Sequence, residues 1–178
     1  VNQLEQLRAS ARAGRFELLP CLDLFARTND SLIAATAGLS QLSEDKDVHT
    51  RLGDLVSAAQ VIERNSREHA LLSYVFGTRS FPAPIRRYLV TSLTEQEVYA
   101  ASLQTWTSVE ALAQLEQVLK GPRAESIAAM RQVALDTTAG TLDLSARAWF
   151  DTQSDQMRAL NGLQHQFVGA VREVIGAK

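Results

Sequence analysis

Hydrophobic and polar positions follow the period of an α-helix along almost the whole chain. The longest such stretch covers about 47–76. At 100° per residue, Leu52, Leu55, Val56, Ala59, Ile62, Ser66, Ala70 and Tyr74 fall on one stripe, the mark of a helix facing a core. A rod of about thirty residues is roughly 45 Å long. That exceeds what a compact globule needs, so an elongated antiparallel bundle is expected.

A second long helix is expected over about 94–120. Thr94 and Glu97 have the spacing of a capping box, in which each side chain satisfies a free backbone donor of the first turn. Its seam would be Val98, Ser102, Thr105, Val109, Leu112, Glu116 and Leu119, with Ala101, Trp106 and Leu115 beside it. Gly121-Pro122 closes it, because proline cannot continue a helix. A third runs over about 145–175, with Trp149, Thr152, Gln156, Leu160, Leu163, Phe167 and Val171 at spacings of three or four. Shorter helices are expected over 2–13, 16–39 (with Pro20 tolerated near the first turn), 83–91 and 123–138. Segments 40–46 and 77–82 read as surface loops. No stretch alternates as a strand would. The fold class is all-α, and residues 1–178 form a single helical domain.

Composition narrows what such a bundle can do. The 178 residues are 46% hydrophobic and 21% charged, with 18 Lys plus Arg against 20 Asp plus Glu. The basic footprint of a nucleic-acid binder is missing, so no nucleic-acid partner is expected. No apolar run reaches the ~18 residues that a transmembrane helix needs, and Val1–Ser10 lacks the features of a signal peptide. Membrane attachment is therefore expected only through flanking segments. Cys21 is the one cysteine, which excludes an internal disulfide and a thiolate cluster. It reads as a buried, inert thiol.

A di-iron bundle needs Glu three residues before His on two helices, but Lys46, Ser66 and Gly162 precede His49, His69 and His165 at that spacing. Metalloprotease, hydrolase and phosphate-loop motifs are absent from the sequence. Neither catalytic residues nor a metal or cofactor are expected, and the domain is not read as an enzyme. Trp149-Phe150 reads as bundle core, and Arg86-Arg87 as a solvated doublet.

The segment Ile62 to Leu72 stands apart. Glu63 falls within the apolar stripe, and Arg67 lies at its edge four residues on, the favourable order for a helical ion pair. Charges that face a core need partners. One reading is a structural ion-pair layer that fixes helix register. The other is a site for a small polar or anionic ligand, with Arg67, Ser66 and His69 as donors beside Glu63, since a planar guanidinium suits a planar oxyanion. A ligand site should arrange these residues around a polar cavity, whereas a scaffold should close them into a satisfied layer.

Glu63, Ser66, Glu68, Ala70, Leu71 and Leu72 resemble, in register, a signature of the nitrate- and nitrite-sensing domain family, a Glu followed by Ser-x-Glu-Arg-Ala-Leu-Leu. The leucine-rich stretch from Leu18 to Leu39 and the run Leu144-Ser145-Ala146-Arg147-Ala148-Trp149-Phe150 are similar to further family segments, and the likeness extends from about Leu4 to Val171. His69 stands where the family usually has arginine, a residue that the resemblance implies helps to bind the anion. The family's first signature helix, with its Gln-Arg-Glu-Arg-like run, has no counterpart in this chain.

The resemblance implies the sensor domain of a membrane-bound bacterial histidine kinase of a two-component system. It would be extracytoplasmic, homodimeric and responsive to a small anion, and it would signal by helix rearrangement. With His69 in the motif, nitrate is expected to raise the melting temperature little. The alternatives are a helical protein-interaction scaffold without a small ligand, and the ligand domain of a helical repressor.

Overall fold

The computed structural model describes residues 2–137 and 144–177, with the side chains of Asn2 and Trp106 outside the description. Among these residues there are seven α-helices and no strand: α1 (Asn2–Arg12), α2 (Leu18–Leu42), α3 (Lys46–Thr78), α4 (Ala83–Trp106), α5 (Val109–Leu119), α6 (Pro122–Asp136) and α7 (Ala146–Gly176). The expected all-α bundle is the fold, and two of its long rods, α3 and α7, lie where the periodicity puts them. Thr138, the expected end of the sixth helix, is outside the described residues.

α3 is the axle. Asp45 caps its start by accepting from the backbone N–H groups of Asp47 and Val48. Arg79, in the left-handed region at φ 52°, caps its end. α2, α4 and α7 all pack against it and run antiparallel to it. Ser40 meets His49 while Asn29 meets Glu63; Gln96 meets Arg64 while Thr107 meets Ser57. Trp149 packs on Phe76, and Phe167 joins Ala58 and Val61.

Because α3 is surrounded, its most buried face is not the stripe that periodicity selects. Leu52, Leu55, Val56, Ala59, Ile62, Ser66, Ala70 and Tyr74 are only half-buried, while Asp54, Ser57, Ala58, Val61, Asn65, Glu68, Leu72 and Val75 are buried. Hydrophobicity could not reveal a buried face that carries two carboxylates and an amide. Each of these polar groups is held by partners remote in sequence or along the helix.

The middle of the chain differs most from expectation. One continuous helix over 94–120 is replaced by α4 and α5, with a break at Thr107-Ser108, and the short helix expected over 83–91 is the first part of α4. Thr94 caps nothing; it lies inside α4, and its hydroxyl donates back to the Val90 carbonyl at 3.1 Å. The break has a tertiary cause. Buried Asp54 on α3 accepts from the Ser108 N–H at 2.7 Å and from its hydroxyl at 2.8 Å, while Thr107 donates to Ser57 at 2.8 Å. A carboxylate at the start of α5 is favoured by that end's partial positive charge. Val98 and Val109 of the expected seam are exposed, and Ile85, Leu89, Leu103 and Ala111 are buried, along with Leu115 from beside the seam.

Three further side chains depart from expectation. Ser40, expected in a loop, is the buried last turn of α2 and donates to the His49 carbonyl at 3.0 Å. Arg86 is not a solvated side chain. It lies over Phe81 and donates to the carbonyls of Leu135 and Thr137, capping the negative end of α6, while Arg87 is exposed. Cys21 is half-buried rather than core, and burial still raises its thiol pKa. On α7 the expectation holds closely: Trp149, Gln156, Leu160, Leu163, Phe167 and Val171 are buried, with Gln153 in place of Thr152.

Candidate functional site

Two arginine clusters lie on different sides of α3. The first is built on Glu63 and Arg67, one turn apart. Glu63 is 6% exposed, so its charge is removed from water. Arg67 Nε donates to it at 2.8 Å, and Asn29 from α2 donates to its other oxygen. Arg67 Nη2 donates to both oxygens of Asp30 at 3.0 Å, and Nη1 lies 3.7 Å from Glu95 of α4. Burial opposes the Arg67 charge. Even so, the Glu63 hydrogen bond and the Asp30 carboxylate hold its pKa above the ordinary value. This cluster ties α2, α3 and α4 together with one guanidinium among three carboxylates.

His69 and Ser66 take no part in it. The His69 ring lies 5.1 Å from that of Phe150 on α7, its buried Nε2 lacks a hydrogen-bond partner, and burial lowers its pKa. Trp149 beside it is core, as expected, and its indole N–H donates to the His69 carbonyl at 3.4 Å, whereas Phe150, also expected in the core, is 53% exposed. Ser66 is half-buried on the same helix. Of the four residues singled out by sequence, the structure brings together Glu63 and Arg67.

The second cluster is one that sequence reasoning missed. Glu68 is fully buried, and Arg131 of α6 grips it with two parallel bonds of 2.6 and 2.9 Å. Gln96 of α4 donates to Glu68 at 3.3 Å and to the Arg64 carbonyl at 3.1 Å. A forked guanidinium–carboxylate pair of this kind fixes orientation as well as charge. The available signal was the spacing Ala58, Val61, Asn65, Glu68, Leu72, a helical stripe whose polar members disguise it.

Arg64 is the unusual member. Its Nη1 donates to the Gln60 carbonyl at 3.3 Å, and its guanidinium lies 4.5 Å from the centre of the Tyr99 ring. Nε is buried with no partner. Among the described residues no carboxylate lies within ion-pair distance of Arg64. Burial raises the Tyr99 pKa, which keeps the phenol neutral beside this cation.

A cavity of about 290 Å³ opens between α3, α4, α6 and α7. Arg64, Gln96, Arg131 and Tyr99 contribute to one part of its wall, and Val61, Leu103 and Ile127 supply apolar surface. Gln156 of α7, 3% exposed, lines it, and its buried amide oxygen has no partner; exposed Glu97 also lines it. An apolar chamber with a few convergent polar groups is the usual form of a small-ligand site. This one offers an unpaired cation for an anion. No group of three or more His, Cys, Asp or Glu side chains suited to a metal occurs among the described residues.

The model of the family described as nitrate and nitrite sensing matches residues 1–172. The chain belongs to that family. Comparison with curated protein sequences and with solved structures found no match. A nitrate- and nitrite-sensing domain is a signal-sensing module, which accords with a site made of hydrogen-bond donors and cations. No helix among the described residues is long and apolar enough to cross a membrane.

Proposed function

We propose that this nitrate- and nitrite-sensing domain is the extracytoplasmic sensor of a membrane-bound bacterial histidine kinase, and that a small oxyanion is recognised in the Arg64–Arg131 cavity. The observation that carries the reading is Arg64, a guanidinium that has no carboxylate partner and lines a cavity. An oxyanion there would receive charge-assisted bonds from Arg64 and meet the edge of Arg131. The Arg67 cluster already holds three carboxylates around one cation, and another anion would meet repulsion there. His69 in the family motif therefore bears less on anion binding than the sequence suggests, because its ring packs against Phe150 away from the cavity.

Signalling follows from the elements that the ligand would bridge. Arg131 ties α6 to α3, and Gln156 belongs to α7, the rod at the chain's C-terminal end. A ligand that draws these together in one state and not in another shifts the balance between two packings.

The test is thermal unfolding with increasing nitrate, then nitrite, at constant ionic strength. A saturable rise is expected, by about 2.7 kcal/mol of stability at a hundredfold excess over Kd. Arg64→Ala should abolish it, while Arg67→Ala should lower the starting melting temperature and leave the rise intact. No response to either anion, or a response that survives Arg64→Ala, refutes the assignment. A ligand-free scaffold is the second reading, favoured by the saturated Arg67 cluster, and it predicts no response to any anion.

A further inference from the structure

A second cavity, of about 330 Å³, lies between α2, α3 and α4 on the far side of Tyr99 from the first. Its place follows from the turn that joins α2 to α3. Ser40, in the last turn of α2, donates its hydroxyl to the His49 carbonyl at 3.0 Å, and the His49 ring returns Nδ1 to the Ser40 carbonyl at 2.8 Å. This pair of bonds ties the end of α2 to the start of α3. The small side chains of Ala37 and Val56 leave a gap between the two helices, and Tyr99 and Ser102 of α4 complete its wall. Ser40 and Ser57 are buried there.

The wall differs in kind from that of the Arg64 cavity. No Asp, Glu, Lys or Arg lines it among the described residues. A carbonyl oxygen only accepts, so Ser40 has committed its hydroxyl proton to His49, and Ser102 has committed its own to the Tyr99 carbonyl at 2.7 Å. For the same reason His49 carries its ring proton on Nδ1, which makes Nε2 of the neutral imidazole an acceptor. The Ser57 hydroxyl accepts from Thr107 at 2.8 Å and is bonded to the Tyr99 hydroxyl, which leaves that pair a single O–H to offer. The amides of Gln41 and Gln60 carry both kinds of group. Lone pairs therefore outnumber protons.

From this chemistry we infer that the second cavity binds a small uncharged molecule that joins an apolar body to an O–H or N–H donor. A charged ligand would give up water and find no counter-charge on the wall. A cation is disfavoured further, because Arg64 already lies over the Tyr99 ring, 4.5 Å from its centre. A purely apolar ligand would cover the acceptors of Ser40, Ser102 and His49 without pairing them. Tyr99 lines both cavities, so the two sites share a wall and select opposite partners, an anion on the Arg64 side and a neutral donor on the His49 side. The assignment stands on the second cavity alone and holds whether or not the Arg64 cavity binds an anion.

Backbone amide NMR shifts of the 1–178 chain during titration with phenol test the site, with toluene and benzoate as the comparisons. Saturable shifts centred on Ser40, Gly53 and Ser102 are expected with phenol. Toluene, which lacks the O–H, should bind about tenfold more weakly, and benzoate no better than toluene. Ser102→Ala removes one acceptor without closing the space and should weaken phenol by about fivefold. Ala37→Leu should fill the cavity and abolish the shifts, with helix content retained. Phenol shifts that do not saturate or that centre elsewhere overturn the inference, as does toluene binding as tightly as phenol. Phenol binding undiminished by Ser102→Ala overturns it too, and benzoate binding more tightly than phenol overturns the uncharged class.

Discussion

On one side of α3, Arg67 sits among Glu63, Asp30 and Glu95, while on another Arg64 has no carboxylate partner and Arg131 has one, Glu68. Both clusters are polar, partly buried and bridge several helices. They differ in charge balance and in completeness. Around Arg67 the known donors of the guanidinium face carboxylates, and the surplus charge is negative. Around Arg64 a buried N–H is idle and a cavity adjoins it. Charge in a core is therefore no guide to function by itself. What separates a clasp from a site is whether the polar groups have already found one another.

The largest effect should come from cutting the closed pair on the cavity side. Arg131→Ala strands Glu68, a fully buried carboxylate, and should cost about 3–5 kcal/mol in denaturant unfolding. Arg131→Lys should recover only part of this, because an ammonium cannot form the forked pair. A loss below 1 kcal/mol would mean that Glu68 becomes protonated or hydrated at little cost.

Next in size is Glu63→Ala, at about 1–3 kcal/mol. Arg67 keeps Asp30 and Glu95, so the remaining charge is better compensated than Glu68 would be. If Glu63→Ala proved the more damaging of the two, the ranking of the clusters would be reversed.

Arg64→Ala should change stability by less than about 1 kcal/mol, since Arg64 has no ion pair to lose. Its consequence should appear in anion response, which is what distinguishes a binding group from a structural one. A large stability loss on this substitution would make Arg64 part of the scaffold.

The smallest effect concerns pH and tests His69, which belongs to neither cluster. Burial lowers its pKa, so the folded chain refuses a proton that the unfolded chain accepts. Above an imidazole's ordinary pKa of ~6.5 both states are neutral and the group contributes no slope. As the pH falls through that value towards the lowered folded one, the unfolded state binds more protons and stability is lost. Melting curves across this window should fall less steeply for His69→Gln than for the parent chain. Equal slopes would remove His69 as the source.

Much of the fold was legible because most helices announce themselves locally. α3 and α7 show their period over thirty residues, and Gly121-Pro122 punctuates the chain by backbone geometry alone. The α4–α5 break was not legible, because Ser108 ends one helix and starts another only with Asp54 of α3 at hand. Thr94 and Glu97 have a capping spacing inside a helix that has no need of a cap there. Glu63 and Arg67 of the closed cluster were visible as charges near an apolar stripe, whereas nothing in the sequence singled out Arg64 or Arg131, and Glu68 entered only through the family signature. Their significance depends on α4 and α6 coming alongside.

Sequence by itself determined the helical class, the approximate length of the central rods, the absence of reactive motifs and the family to which the chain belongs. These are properties of periodicity and local order, set within a few turns of helix. Only the tertiary structure decided which charges are satisfied and which stand open. A buried charge's state depends on partners thirty to sixty residues away, and Coulomb and hydrogen-bond energies depend on distance in space, which the order of residues does not record.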